Sequence, residues 1–206
     1  MAAPPWLVRN YGPRCTLVCA ASVLRKLGAA PDAPLVETIA GATGFRENYG
    51  PPALAYLGGH SALDRGMEQA AAAAGLRVRC RTRFAIRWVD LVASVACDVP
   101  VVLNCFRAPS GQWSHSVLAV DYTLEPRRLL TLDPNDGQQR WLTWGDLRTG
   151  WICTATFIQP AWALPCVGRV PAGSSPAPVQ TGSLQGAGGR AKRSFESSQP
   201  EQGART

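Results

Sequence analysis

Three side chains suited to acyl transfer stand in order along this chain: Cys15, His115 and Asp133. Cys15 opens an apolar run that reads as a helix. A thiol at a helix N-terminus meets unpaired backbone N–H groups and the positive end of the macrodipole, so thiolate forms more easily there. An imidazole beside it can take its proton, and a carboxylate can hold that imidazole in one tautomer. His115 falls within an apolar strand, where burial without a partner is costly, and Asp133 closes the next strand. Such a set would attack an acyl carbon, protonate the departing amine and clear the thioester with water or a second amine.

Other residues compete for these roles. His60, in Gly58-Gly59-His60-Ser61, precedes a predicted helix and has no Asp-Pro strand after it, which suits a solvated loop histidine. The rival reading of Cys15 is a buried structural thiol, cysteine being among the most buried residue types, and Cys19 lies one turn beyond it on the same helix face. Asp121 leads outward from the histidine strand, and Asp136 belongs to a Pro-Asn-Asp-Gly turn. Two histidines and seven cysteines without CxxC pairs argue against a zinc site.

The elements that must position these groups can be traced in order. Leu17, Ala20, Ala21, Leu24 and Leu27 repeat at helical spacing, predicting a helix from Cys15 to Leu27 with Gly28 just beyond its end. Asp32 and Pro34 suit the start of a short second helix through Ile39, followed by a turn-rich region to Gly59. Ser61 and Asp64 form a capping-box signature before a helix that ends at Gly75. Leu76 to Arg83 alternates, with Arg77, Arg79, Arg81 and Arg83 on one face, and reads as a strand. A helix is expected over 88–96 and a buried strand over 99–105. Antiparallel strands are expected over 116–122, 129–132, 140–142 and 151–158, with Glu125-Pro126 marking one turn. Helices first and strands later make an α+β domain with the nucleophile helix packed on one sheet.

Four stretches resemble the papain-like cysteine peptidases of the bacteriocin-processing, double-glycine type. Tyr11-Gly12-Pro13-Arg14-Cys15 and the following helix to Gly28 resemble that family's nucleophile helix. Asp90-Leu91-Val92 through Pro100-Val101-Val102-Leu103 resembles its lead-in strand. His115 to Tyr122 resembles its histidine strand, and Leu132-Asp133-Pro134 with Trp144 and Leu147 resembles its Asp-Pro element. The resemblance implies a papain-like cysteine protease fold, with Cys15 as nucleophile, His115 as base and then acid, and Asp133 as orienting carboxylate. It also implies an oxyanion donor shortly before the cysteine. There the family usually has glutamine; this chain has Asn10, one methylene shorter, and Thr16 where many relatives have glycine. The segment around Cys15 also resembles the actin maturation proteases, too briefly to carry their substrate over.

The net charge of +7 is uneven. From Arg169 to Thr206 the chain is Gly, Ser, Pro, Gln and Ala with few large apolar residues, and it carries five basic and two acidic side chains. That composition predicts a disordered basic tail over 168–206 behind one domain over 1–167. The arginine strand is read as a protected sheet edge, since no aromatic residues interleave with its arginines as nucleic-acid binding would require. A middle reading has it steering an acidic peptide. No apolar run reaches the ~18–20 residues of a membrane helix, and the N-terminus lacks a signal-peptide pattern. The expectation is thus a stand-alone cytoplasmic cysteine peptidase or amide hydrolase that acts on a peptide or amide substrate, without cofactor or metal. An acyltransferase of the phytochelatin-synthase kind and a catalytically inactive binding module are the alternatives.

Overall fold

The computed structural model describes residues 3–43, 60–107, 113–148 and 152–163. The expected tail over 168–206, and most of the turn-rich region before Gly59, lie outside the described residues. Helix α1 spans Cys15–Lys26, α2 Leu35–Thr43 and α3 His60–Ala73. Strand β1 (Val78–Arg83) and helix α4 (Trp88–Ala96) follow. The strands β2 (Val101–Arg107), β3 (Trp113–Thr123), β4 (Arg128–Leu132), β5 (Gln139–Thr143) and β6 (Ile152–Pro160) come next. Among the described residues they form one sheet in the order β1-β6-β2-β3-β4-β5, with every neighbouring pair antiparallel. This is the expected α+β class.

The sheet is covered on both faces, which explains why β2 reads as a continuous apolar run instead of an alternating one. Val102, Leu118, Leu132 and Ile158 pack against α1, α2 and α3. Val101, Leu103, Val117, Ala119 and Phe157 pack against Trp88, Leu91, Val92 and Val95 of α4. Every residue of α1 from Cys15 to Leu24 is buried, so this helix is sandwiched between the sheet and its neighbours.

Three helices end in the same way. Gly28 has φ 109°; its N–H reaches Arg25 O and the Ala29 N–H reaches Leu24 O. That pair of bonds defines a Schellman motif. Gly75 repeats it after α3, with φ 75°. Asp98 repeats it after α4 at φ 60°, as a non-glycine residue, and its carboxylate pairs with Lys26.

The start of α3 corrects one expectation. Ser61 is already inside the helix, which begins at His60, and the Asp64 carboxylate does not cap it. It accepts instead from the Thr82 backbone N–H at 3.1 Å and the Thr82 hydroxyl at 2.7 Å, while Glu68 accepts from the Cys80 N–H at 2.8 Å. Strand β1 is the sheet's edge, so its outward N–H groups need acceptors, and α3 supplies them. Arg77, Arg79 and Arg81 are exposed, whereas Arg83 pairs with Asp90 at 2.9 Å.

Candidate functional site

Cys15 is the first residue of α1. Arg14 precedes it with a non-helical backbone and no side-chain cap, so the first helical N–H groups are left facing outward from the helix end. His115 sits in β3 opposite Cys105 of β2, and Asp133 directly follows β4, the strand paired with β3. The Cys15 thiol is electrostatically coupled to His115, whose influence lowers its pKa. The His115 Nε2–H donates to Asp133 Oδ1 at 2.8 Å, an arrangement that puts the ring's proton on Nε2 when the imidazole is neutral. All three are buried, at 3–4% exposure.

A tight turn fixes the carboxylate. Asp133 Oδ1 also accepts from the Asn135 N–H at 2.9 Å, the Gly137 N–H donates to Asp133 O at 2.8 Å, and Arg140 stands 3.8 Å from Oδ2. Asp121 and Asp136 are engaged elsewhere: Asp121 accepts from the Tyr122 N–H, and Asp136 pairs with Arg140 at 3.0 Å. His60 opens α3; its side chain lies outside the described residues.

The charges reinforce one another. Burial works to raise the Cys15 thiol pKa, yet the hydrogen bond and charge of His115, with hydrogen bonds from Ser116, bring it below the ordinary 9.0. Burial works to lower that of His115, but Asp133 and Cys15 push it up to about 9. Asp133 is likewise disfavoured by burial as an anion, and is nonetheless held below the usual carboxylate range by His115, the Asn135 N–H and Arg140. The arrangement favours thiolate and imidazolium over two neutral groups. Cys19 behaves otherwise. It is fully buried, its thiol donates to Ser116 O at 3.5 Å, and burial pushes its pKa well up.

Asn10 is tied to the same turn. Its backbone N–H donates to Pro134 O at 3.1 Å, and its side-chain Nδ2 donates to Asn135 Oδ1 at 2.7 Å. One of the amide's two N–H groups is thereby used. A groove of about 540 Å³ runs past this segment, lined by Asn10, Tyr11, Gly12, Arg14, Val18 and Glu37 among others.

Sequence reasoning missed the polar row behind Cys15. Thr154, Asn104 and Ser116 are paired across β6, β2 and β3, and Thr16 of α1 rests on them. A lone asparagine inside an apolar strand was the available signal, because a buried amide requires partners.

In structure the chain is similar to several peptidase domains. One such domain is that of Streptococcus ComA, a bifunctional ABC transporter involved in a quorum-sensing pathway: 15% identity, 75% of this chain and 97% of that one, TM-score 0.48. Another is a double-glycine motif protease from an AMS/PCAT transporter, solved with its leader peptide: 12% identity, coverage of 77% and 92%, TM-score 0.46. A third is the N-terminal peptidase C39-like domain of a toxin-secretion ATP-binding protein from Vibrio parahaemolyticus: 14% identity, coverage of 73% and 98%, TM-score 0.42. No family model matches the chain, and no curated protein matches it by sequence.

Proposed function

We propose that this chain is a cysteine peptidase or amide hydrolase that works through a thioester on Cys15. The observation that carries the reading is the buried His115, which donates to Asp133 at 2.8 Å and holds the pKa of the buried Cys15 thiol below its ordinary value. The Cys15 thiolate attacks the substrate's carbonyl carbon, forming a C–S bond and a tetrahedral oxyanion. The N–H of Cys15 at the helix start, with the remaining Asn10 amide N–H, stabilises that oxyanion. As the C–N bond breaks, the His115 imidazolium gives its proton to the leaving amine. His115, now neutral, takes a proton from water as the water attacks the thioester carbon. The acid product leaves, and the sulfur departs as thiolate beside a restored imidazolium. Asp133 holds the ring in place throughout.

The substrate is a peptide or amide, and acidic peptides suit the groove best, since Arg9, Arg14 and Arg25 line it against a single acid, Glu37. Among the described residues no helix is long and apolar enough to cross a membrane. Reduced thiols at Cys15, Cys19 and Cys80 suit a cytoplasmic setting.

An electrophilic peptidyl ketone, read out by peptide mass mapping, tests the reading. Adduct formation should concentrate on Cys15 and disappear in His115→Ala. Labelling spread evenly over several thiols, or undiminished in His115→Ala, would end it.

A further inference from the structure

The groove beside the nucleophile follows helix α1 almost from end to end. Arg14, Val18, Ala21 and Arg25 line it at spacings of four, three and four residues, which is one stripe along a helix. Leu35 and Val36 of α2 line it as well, and so does the segment from Val8 to Pro13. One end of the groove therefore adjoins Cys15 in the chain, and the other lies in the last turn of α1. Cys15 and Arg25 are ten residues apart, so at 1.5 Å per residue they are separated by about 15 Å along the helix axis.

The charge along this groove is uneven. At the Cys15 end, Arg14 has Glu37 of α2 at 3.9 Å. Between the ends the lining is apolar, from Val18, Ala21, Leu35 and Val36. At the far end, no ion pair joins Arg25 to a carboxylate among the described residues; its side chain donates from Nη2 to Pro31 O at 2.6 Å. A guanidinium carries five N–H donors, so that bond leaves most of them uncommitted. Its Nε is, among the described residues, the one buried side-chain nitrogen or oxygen without a partner. A cation in the last turn of a helix suits the macrodipole, but that attraction does not explain an unpaired donor. A carboxylate does, because its two oxygens match the planar fork of arginine.

We propose that Arg25 is a specificity residue of this groove, whose guanidinium takes the side-chain carboxylate of a substrate Asp or Glu four or five residues from the bond that Cys15 attacks. The spacing follows from the groove's length. An extended peptide advances about 3.3 Å per residue, so about 15 Å of groove holds four or five residues. The substrate residues between the acid and the scissile bond then lie against the apolar stretch. The proposal rests on the acyl-transfer reading of Cys15, and it assigns to one position the acidic preference that the groove's arginines imply as a group. Arg9 is exposed, with its guanidinium against Gly137, and Arg14 has Glu37 beside it, so the uncompensated charge within the groove is that of Arg25.

The test incubates the full chain with a random peptide library whose ends are acetylated and amidated, so that every carboxylate is a side chain. Cut sites are read by mass spectrometry. Asp and Glu should be enriched at one position four or five residues from the cut. Matched peptides with Asp or Asn at that position should differ about tenfold in kcat/KM, as a hydrogen-bonded charge pair warrants. Arg25→Gln should bring that ratio close to one. Arg25→Glu should turn the enrichment toward Lys and Arg, a reversal that loss of stability cannot produce. Cleavage without acidic enrichment at that distance, or enrichment that survives Arg25→Gln, overturns the proposal. If Arg25→Gln does not fold, Arg25→Lys, which keeps the charge but loses the fork, takes its place, and an unchanged ratio there overturns the proposal. A wild-type chain that cuts no peptide removes the acyl-transfer reading itself, and the proposal with it.

Discussion

In the proposed mechanism the Cys15 proton passes to His115, and the cost of losing each partner follows from where that proton can go. Cys15→Ala is expected to abolish turnover, because it removes the atom that carries the acyl group, whereas Cys19→Ser should leave most of it. His115→Ala should be nearly as damaging as loss of the thiol, since nucleophile and base act as one unit. Asp133→Asn should harm less, disturbing tautomer and orientation but neither reacting group. Steady-state rates on one amide substrate check this ranking, and Asp133→Asn falling below His115→Ala would contradict it. Asn10 is the informative neighbour, because its amide is already bonded to Asn135. If the remaining N–H meets the oxyanion, Asn10→Ala should lower kcat by roughly 10²–10³. An unchanged kcat would leave the oxyanion to backbone N–H groups alone. At this scale the sequence marked Cys15, His115 and Asp133 as candidates, because each sat at an element end or in an apolar strand where its chemistry was conspicuous. The Asn10–Asn135 bond was hidden, since it joins residues 125 positions apart through a turn whose shape no local pattern encodes.

Strand β1 shows how an element's chemistry is completed by its neighbour. The Asp64 carboxylate satisfies both the backbone N–H and the hydroxyl of Thr82, and Glu68 satisfies the Cys80 N–H. Removing one acceptor leaves a partly buried donor without its partner, which costs about 1–3 kcal/mol. Asp64→Ala should therefore lower the unfolding free energy by about 2 kcal/mol, and Glu68→Gln by less, as an amide oxygen can still accept. Urea denaturation reads both; an Asp64→Ala variant as stable as wild type would mean that water replaces the carboxylate freely. The same carboxylate explains one misread signal. Ser61 and Asp64 have the spacing of a capping box, yet Asp64 is drawn across to the sheet edge, a tertiary demand that spacing cannot reveal. Helix ends marked by Gly28 and Gly75 were legible, because glycine supplies the left-handed backbone at no steric cost. The third such end was not, since Asp98 adopts φ 60° without that label. Strand ends were legible only to within a few residues: β3 begins at Trp113 and not Ser116, because pairing with β2 extends past the apolar run.

The whole molecule brings these elements into a sheet whose order, β1-β6-β2-β3-β4-β5, places the last strand between the first two. Nothing in the sequence marks that insertion, although it sets Thr154 beside Asn104. Apolar patterning did reveal that strands such as β2 are buried, and that α1 lies against them. The stability of this whole assembly should carry the signature of the His115–Asp133 pair. Asp133 has its folded pKa depressed, so its contribution is present above the unfolded carboxylate value and is lost as pH falls through the folded one. His115 has its folded pKa raised from 6.5 to about 9, so its contribution is complete below 6.5 and is lost as pH rises through about 9. The two windows overlap across neutral pH, where carboxylate and imidazolium are both charged. Asp133→Asn deletes the pair's charge interaction at every pH. The difference in unfolding free energy between wild type and Asp133→Asn should therefore form a dome, widest from about pH 5 to 6.5 and narrowing toward both extremes. Urea unfolding of both proteins from pH 3 to 10 would show it. A difference that stays level on the alkaline side would mean that His115 is neutral in the folded protein, and that the buried thiol keeps its proton until alkaline pH.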